Sequence, residues 1–264
     1  MAALMPINLW FCPNEDLAPG IAATLAAYWL DEHEREIAGR FLFERDRRQY
    51  LVAHALVRRV LALETGIPEA EAVIWRSSRG RPYLQTPEGG LPRGGDGLDF
   101  NLSHAHAYNL LGVARSCRIG VDVERLDRGE QQGFEVIIET FTEGEREWIG
   151  RAAAGRPRDR RVLRLWTLKE SYAKARGLGL SLAFDSFSFT LAEDRGVIEF
   201  RPPADDLAGR WRFLELEPVP EVVASVAVEV VEVEAADPPA VHLRHGFPWG
   251  RATPRRLTLE APLR

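Results

Sequence analysis

Residues 119–124 read IGVDVE and residues 166–181 read WTLKESYAKARGLGLS. The first is a short β-branched run with Gly120 inside it, the pattern of a strand. A strand sends side chains two apart to one face, so Asp122 and Glu124 point the same way. The second belongs to a helical pattern predicted over 161–176 and stopped by the C-cap signals Gly177 and Gly179. Trp166, Glu170 and Lys174 recur every four residues on one helix face, beside an apolar stripe of Leu165, Leu168, Tyr172 and Ala175. If the fold brings strand end and helix face together, three carboxylates converge. Such a set, with the remaining positions left to water and a substrate phosphate, suits Mg²⁺ better than Zn²⁺. Singly, each element has a plain reading: D-x-E ends many buried strands, and Glu and Lys four apart form an ordinary surface pair. The combination is what points to chemistry.

Outward from this centre, a first strand is predicted over 6–11 and a helical pattern over 21–30. A longer helix over 46–66 carries the apolar stripe Tyr50, Ala53, Leu56 or Val57, Val60 and Leu61. Arg40, Arg45, Arg47 and Arg48 crowd its start. They read either as a solvated face or as phosphate donors, since a guanidinium offers paired N–H groups to phosphate oxygens. A strand over 72–77 leads into Gly80, Arg81 and Pro82, a rigid turn that would hold Arg81 at a cleft edge, and 85–97 is the clearest loop. His104 and His106 lack a third ligand at zinc-like spacing, which leaves no zinc site there. Thr142 and Glu145 have capping-box spacing and predict a helix over 143–154, after which 155–161 reads as a basic turn. Short strands follow at 184–191, 197–200, 211–216 and 222–233. The segment 242–264, with five arginines, reads as a draped surface tail, the alternative being that Phe247 and Trp249 pack back on the body.

A chain of 264 residues, 45% of them apolar, supports one large or two modest domains. A formal charge of −5 argues against a nucleic-acid binder working by global attraction. Only two cysteines, Cys12 and Cys117, suggest free thiols in a reducing compartment. No apolar run is long enough to span a bilayer, and the start has no secretion-signal pattern, so a cytoplasmic protein without membrane contact is expected.

GVDVE at 120–124 and WTLKESYAKARGLGLS at 166–181, with Glu124 and Glu170 separated by 46 positions, resemble the two signature motifs of the 4′-phosphopantetheinyl transferases. FNLSHAHAY at 100–108 resembles the third family motif and GRPYL at 80–84 the fourth, so the likeness covers roughly 40–181. The resemblance implies an α+β fold of two similar halves related by a pseudo-twofold axis, each a small antiparallel sheet packed on helices, with coenzyme A in the cleft between them. We divide the chain accordingly into halves 1–118 and 119–245 and a basic tail 246–264. It implies transfer of the phosphopantetheine arm of coenzyme A to a serine of an acyl- or peptidyl-carrier protein, with release of 3′,5′-ADP. Asp122, Glu124 and Glu170 would hold Mg²⁺, Glu170 would act as base and Lys174 would offset charge on the leaving group. Arg47, Arg48, Arg81, Ser103 and His104 would grip coenzyme A together with Asp122 and Lys174. Gln49 and Ile37 stand where relatives often carry a basic residue. Length and paired halves resemble the broad-specificity, surfactin-synthetase-activating branch, expected to be monomeric and to serve fatty-acid, polyketide or nonribosomal-peptide synthesis. Arg151, Arg156, Arg158, Arg160 and Arg161 are candidates for meeting an acidic carrier. The same carboxylates would also serve a Mg²⁺-dependent phosphohydrolase of coenzyme A or a nucleotide, and a degenerate site would leave a carrier-binding module.

Overall fold

Alternation along the first strand sets the layers. In β1 (Ile7–Pro13), Ile7, Leu9 and Phe11 enter one buried cluster while Trp10 and Cys12 enter another, as a period of two requires when both faces are covered. The structure, a computed structural model, describes residues 6–85, 97–127, 134–230, 239–249 and 254–259. The first half continues through α1 (Pro19–Trp29), α2 (Glu32–Gly39), α3 (Glu44–Thr65), β2 (Ile74–Arg76), β3 (Pro82–Leu84), β4 (Leu98–Ala105) and β5 (Tyr108–Arg115). Helix α3 ends where Gly66 takes φ +78°, a left-handed conformation that glycine adopts without strain. The second half has β6 (Arg118–Arg125), α4 (Glu135–Glu139), α5 (Glu143–Gly150), α6 (Arg156–Arg176), β7 (Ser188–Leu191), β8 (Val197–Arg201), β9 (Trp211–Leu216) and β10 (Val222–Glu229). Two further strands, β11 (Ala240–His245) and β12 (Arg255–Thr258), close the chain's described part.

The principal sheets are β12-β11-β1-β5-β4 and β6-β10-β9. Val52, Leu56 and Val60 of α3 pack with Trp10, Leu111 and Val113 on one face of the five-stranded sheet. Its other face, through Leu9, Phe11, Leu110 and Ala114, meets Ile119, Val121, Val123 and Val226 of the three-stranded sheet. The far face of that sheet, through Val223 and Ala227, meets Leu165, Leu168 and Tyr172 of α6. The result is a two-lobed α+β protein layered helix, sheet, sheet, helix.

Three expectations change, and one helix is added. The larger sheet is mixed, because β11 runs parallel to β1 with Ile7 opposite Val241 and Phe11 opposite His245. Residues 240–245 therefore join the sheet of β1, a pairing between residues over 230 positions apart. The expected draped tail packs instead: Phe247 is buried, its ring stacks 6.4 Å from Trp29, and β12 pairs with β11. Helix α6 starts at Arg156, since Pro157 near its N-terminus is pre-set for a helix and Gly155 takes the preceding φ of +84°, so the expected turn is its first turn. The charged run before α3 holds α2, nucleated by a capping box between Asp31 and Glu34. The expected loop over 86–96, the connection over 128–133, the end of the last predicted strand at 231–233, and the tail over 250–253 and 260–264 lie outside the described residues.

Both thiols are free as expected, Cys12 buried and Cys117 half-buried. Burial drives Cys12 far above the ordinary thiol value and pushes Cys117 up to about 12. Iodoacetamide at pH 8 should therefore leave both unmodified in the native protein and alkylate both in denaturant, read by intact mass. Lys169 is buried under α6, 3.0 Å from Glu145 Oε1, and donates to Phe184 O and Phe187 O at 2.7 Å each. Desolvation pulls its ammonium down to about 8 against the opposing pull of Glu145. Lys169→Met would strand the Glu145 carboxylate in the core and should cost about 3–5 kcal/mol, seen as a lower urea midpoint.

Candidate active site

The two lobes meet along an edge where side chains replace a main-chain ladder. On β4, Asp99 Oδ2 accepts the Ile119 N–H at 2.8 Å, Asn101 Oδ1 accepts Val121 N–H at 2.8 Å and Ser103 Oγ accepts Val123 N–H at 3.4 Å. Residues two apart on one strand thus satisfy alternate amides of β6, donors that would otherwise be buried without partners. This placement fixes Asp122 beside Ser103. Gly120 allows α6 to close on the same strand, since a Cβ there would lie 2.0 Å from Ser171 O and 2.5 Å from Ala175 N.

The predicted helix face therefore meets the strand as the spacing required. Trp166 Nε1 donates to Glu124 Oε1 at 3.1 Å. Two turns on, Lys174 Nζ donates to Asp122 Oδ1 at 2.6 Å and Ser103 Oγ at 3.1 Å, and Ser103 Oγ donates to the same Asp122 oxygen at 2.8 Å. Glu170 stands between these contacts on α6 and is buried. Its desolvation pushes its carboxyl up; Lys174 opposes this and the Asp122 charge adds to it. Asp122 Oδ2 is buried and has no hydrogen-bond partner among the described residues.

The anticipated metal trio needs a qualification: among the described residues no group of three or more His, Cys, Asp or Glu side chains stands together ready to hold a metal ion. Two of the three carboxylates are instead met by their own donors, Asp122 by Lys174 and Glu124 by the indole of Trp166. The donor set still fits a hard cation, because an unpartnered buried carboxylate oxygen and a neighbouring carboxyl biased toward protonation are short of positive charge.

A cleft of about 380 Å³ opens beside Lys174, between α3, the β2–β3 hairpin, β4 and the glycines after α6. Arg76, Arg79, Arg81, His54 and His104 line it, with Glu34 as the one acid among the described residues. His104 is at its mouth, where partial desolvation and then the Lys174 charge push the imidazole below its ordinary value. Arg81 lines the cleft, but its guanidinium also binds protein: Nη1 donates to Lys174 O, and Nη2 to Asp99 Oδ2 at 2.6 Å and Ile119 O at 3.0 Å. A second cavity of about 330 Å³, lined by Trp166, Leu182, Ala183 and Phe184, opens at the other end of the same helix face.

The remaining candidates lie apart. Arg47 is exposed beside Glu44 and lines neither cavity. Arg48 donates to Asn14 O at 3.2 Å and Leu17 O at 3.1 Å and lines a neighbouring surface pocket that also includes His104 and Tyr50. Arg76 and Arg79 were not singled out from sequence, although their position just before the recognised turn was the available signal. The arginines suggested for a carrier are engaged within the chain: Arg158 by Glu135, Arg160 by Glu217, Arg161 by Glu193, Arg151 by Glu147 and Arg156 by Pro220 O. A basic face built from them would have to break these pairs.

The chain matches two family models, one described as the 4′-phosphopantetheinyl transferase superfamily over residues 118–229 and one as 4′-phosphopantetheinyl transferase, N-terminal, over 21–116. It is 31% identical over 210 residues to a phosphopantetheinyl transferase of Thraustochytrium, covering 76% of this chain and 70% of that protein. It is 30% identical over 226 residues to the 4′-phosphopantetheinyl transferase HetI of Nostoc, covering 84% and 87% respectively. A 4′-phosphopantetheinyl transferase of Bacillus subtilis is 29% identical over 164 residues, covering 62% and 67%.

Proposed function

Because the chain belongs to the 4′-phosphopantetheinyl transferase superfamily, we propose that it moves the phosphopantetheine arm of coenzyme A to a serine of an acyl- or peptidyl-carrier protein and releases 3′,5′-ADP. The observation that carries this reading is the buried, unpartnered Asp122 Oδ2 beside Lys174 at the wall of a cationic cleft. Cavities at both ends of the Trp166–Glu170–Lys174 face suit a substrate lying along it, nucleotide at the Lys174 end and pantetheine against Trp166 and Phe184. Asp122 and Glu170, with Glu124 if it leaves the indole, are the residues that would hold Mg²⁺. Bound there, the ion would neutralise pyrophosphate charge.

The chain's own groups supply the rest. Lys174 sits where charge grows on the departing 3′,5′-ADP, and its tie to Asp122 and Ser103 keeps the ammonium placed before substrate arrives. Glu170, with its carboxyl biased upward by burial, is the proposed acceptor of the serine proton, directly or through a water. Ser103, His104, Arg81, Arg76 and Arg79 orient the nucleotide, and Arg48 lies near enough to the shared wall at His104 to extend that grip. On this reading the chain belongs to the broad-specificity branch and acts as a monomer in the cytoplasm. The test is product analysis: 3′,5′-ADP should form only when an apo-carrier is present. Nucleotide released from coenzyme A without carrier would identify a phosphohydrolase, and coenzyme A binding without turnover a binding module.

A further inference from the structure

His54 has no role in the chemistry above, yet it lines the cleft beside Tyr50, Arg76, Arg79 and His104. Its Nδ1 lies 2.7 Å from Glu34 Oε1. Burial alone would raise the Glu34 carboxyl, but His54 and Arg58 outweigh it and hold Glu34 below the ordinary value, so this carboxylate only accepts. Nδ1 therefore carries the hydrogen. Nε2 is the nitrogen left over, and among the described residues it has no hydrogen-bond partner.

The ring cannot turn away easily. It stacks on Tyr50 with centroids 3.9 Å apart and planes at 24°. Glu34 is itself locked by Arg58 Nε at 2.7 Å and by the Asp31 N–H at 3.1 Å. Arg58, fully buried, is fixed in turn by Glu69 O and Ala72 O. Tyr50 Oη, on a side chain that lines the same cleft, is buried without a partner. A carboxylate-oriented imidazole and a hydroxyl without a partner among the described residues, with two arginines on the same cleft, form a site suited to an anion.

We propose that His54 is a binding residue for a phosphate monoester, the ribose 3′-phosphate of coenzyme A, with Tyr50, Arg76 and Arg79 around it. This rests on the transferase reading, which sets the pyrophosphate at Lys174 and leaves the monoester for the α3 side of the cleft. An imidazole that donates through Nδ1 to Glu34 and through Nε2 to phosphate is an imidazolium, and the dianion supplies the charge that favours it.

The test is calorimetry with coenzyme A and 3′-dephospho-coenzyme A on the full chain and on His54→Gln, beside a carrier-modification assay of the parent. The parent should bind coenzyme A about tenfold or more tighter than the dephospho form, and His54→Gln should lose most of that preference while binding the dephospho form within about twofold of the parent. A parent that modifies carriers yet binds both compounds equally overturns this inference and leaves the transferase reading standing. A variant that keeps the preference, or weakens both ligands alike, overturns it too. A parent that binds neither compound and modifies no carrier overturns both readings.

Discussion

An Asp122→Asn protein is expected to fold like the parent and to turn over about 10²–10³-fold more slowly, the usual consequence of removing a group that organises charge at a reacting phosphate. The fold should survive because asparagine keeps an Oδ1 that can accept from Ser103 and Lys174. What it loses is the second oxygen, which is buried, has no protein partner and is the best-placed acceptor for a cation. Glu170→Gln should be comparably slow while retaining coenzyme A affinity within a few-fold, because Glu170 contributes proton transfer and metal binding on our reading and not nucleotide recognition. Steady-state rates with apo-carrier across a Mg²⁺ series check both. An Asp122→Asn enzyme with parental kcat and unchanged Mg²⁺ requirement would remove this residue from the site.

Gly120→Ala should be the most damaging single methyl among the described glycines. A Cβ at 2.0 Å from Ser171 O and 2.5 Å from Ala175 N meets helix backbone, which cannot swing aside as a side chain can. Relief requires α6 to move off β6 by more than an ångström, opening the packing of Val223 and Ala227 against Leu168 and Tyr172. We expect a cost of about 4–5 kcal/mol or more, a large part of the ~5–15 kcal/mol that holds a typical domain together. The variant should be recovered in inclusion bodies or melt far below the parent. Gly112→Ala, whose Cβ would have the side chains of Ile119 and Val121 as its nearest contacts, should be milder because those can shift. Equal stability of Gly120→Ala and the parent would mean that helix and strand are not packed as described.

The site's core was legible because it is periodic. Trp166, Glu170 and Lys174 fall on one helix face and Asp122 and Glu124 on one strand face, and each face finds the other. The helix cap at Gly177 was legible for a similar reason, since it takes positive φ where the pattern ends. Long-range partner choice was not legible. Nothing local to 240–245 says that it pairs with residues near the N-terminus, and nothing local to Asp99, Asn101 and Ser103 says that their polar atoms stand in for a neighbouring strand. The arginines were overread for this reason: sequence records charge, but Glu135, Glu193 and Glu217 occupy three of them from distant positions. Glu34 and His54 went unread because their tie joins two helices.

Transfer itself is the direct test. Mass spectrometry of apo-acyl-carrier and apo-peptidyl-carrier proteins, incubated with this protein, coenzyme A and Mg²⁺, should show at least one carrier gaining the mass of a single phosphopantetheine arm on its serine. That gain should vanish with Asp122→Asn and when the carrier serine is replaced by alanine. A folded, coenzyme A-binding protein that leaves every carrier at its apo mass would contradict the account.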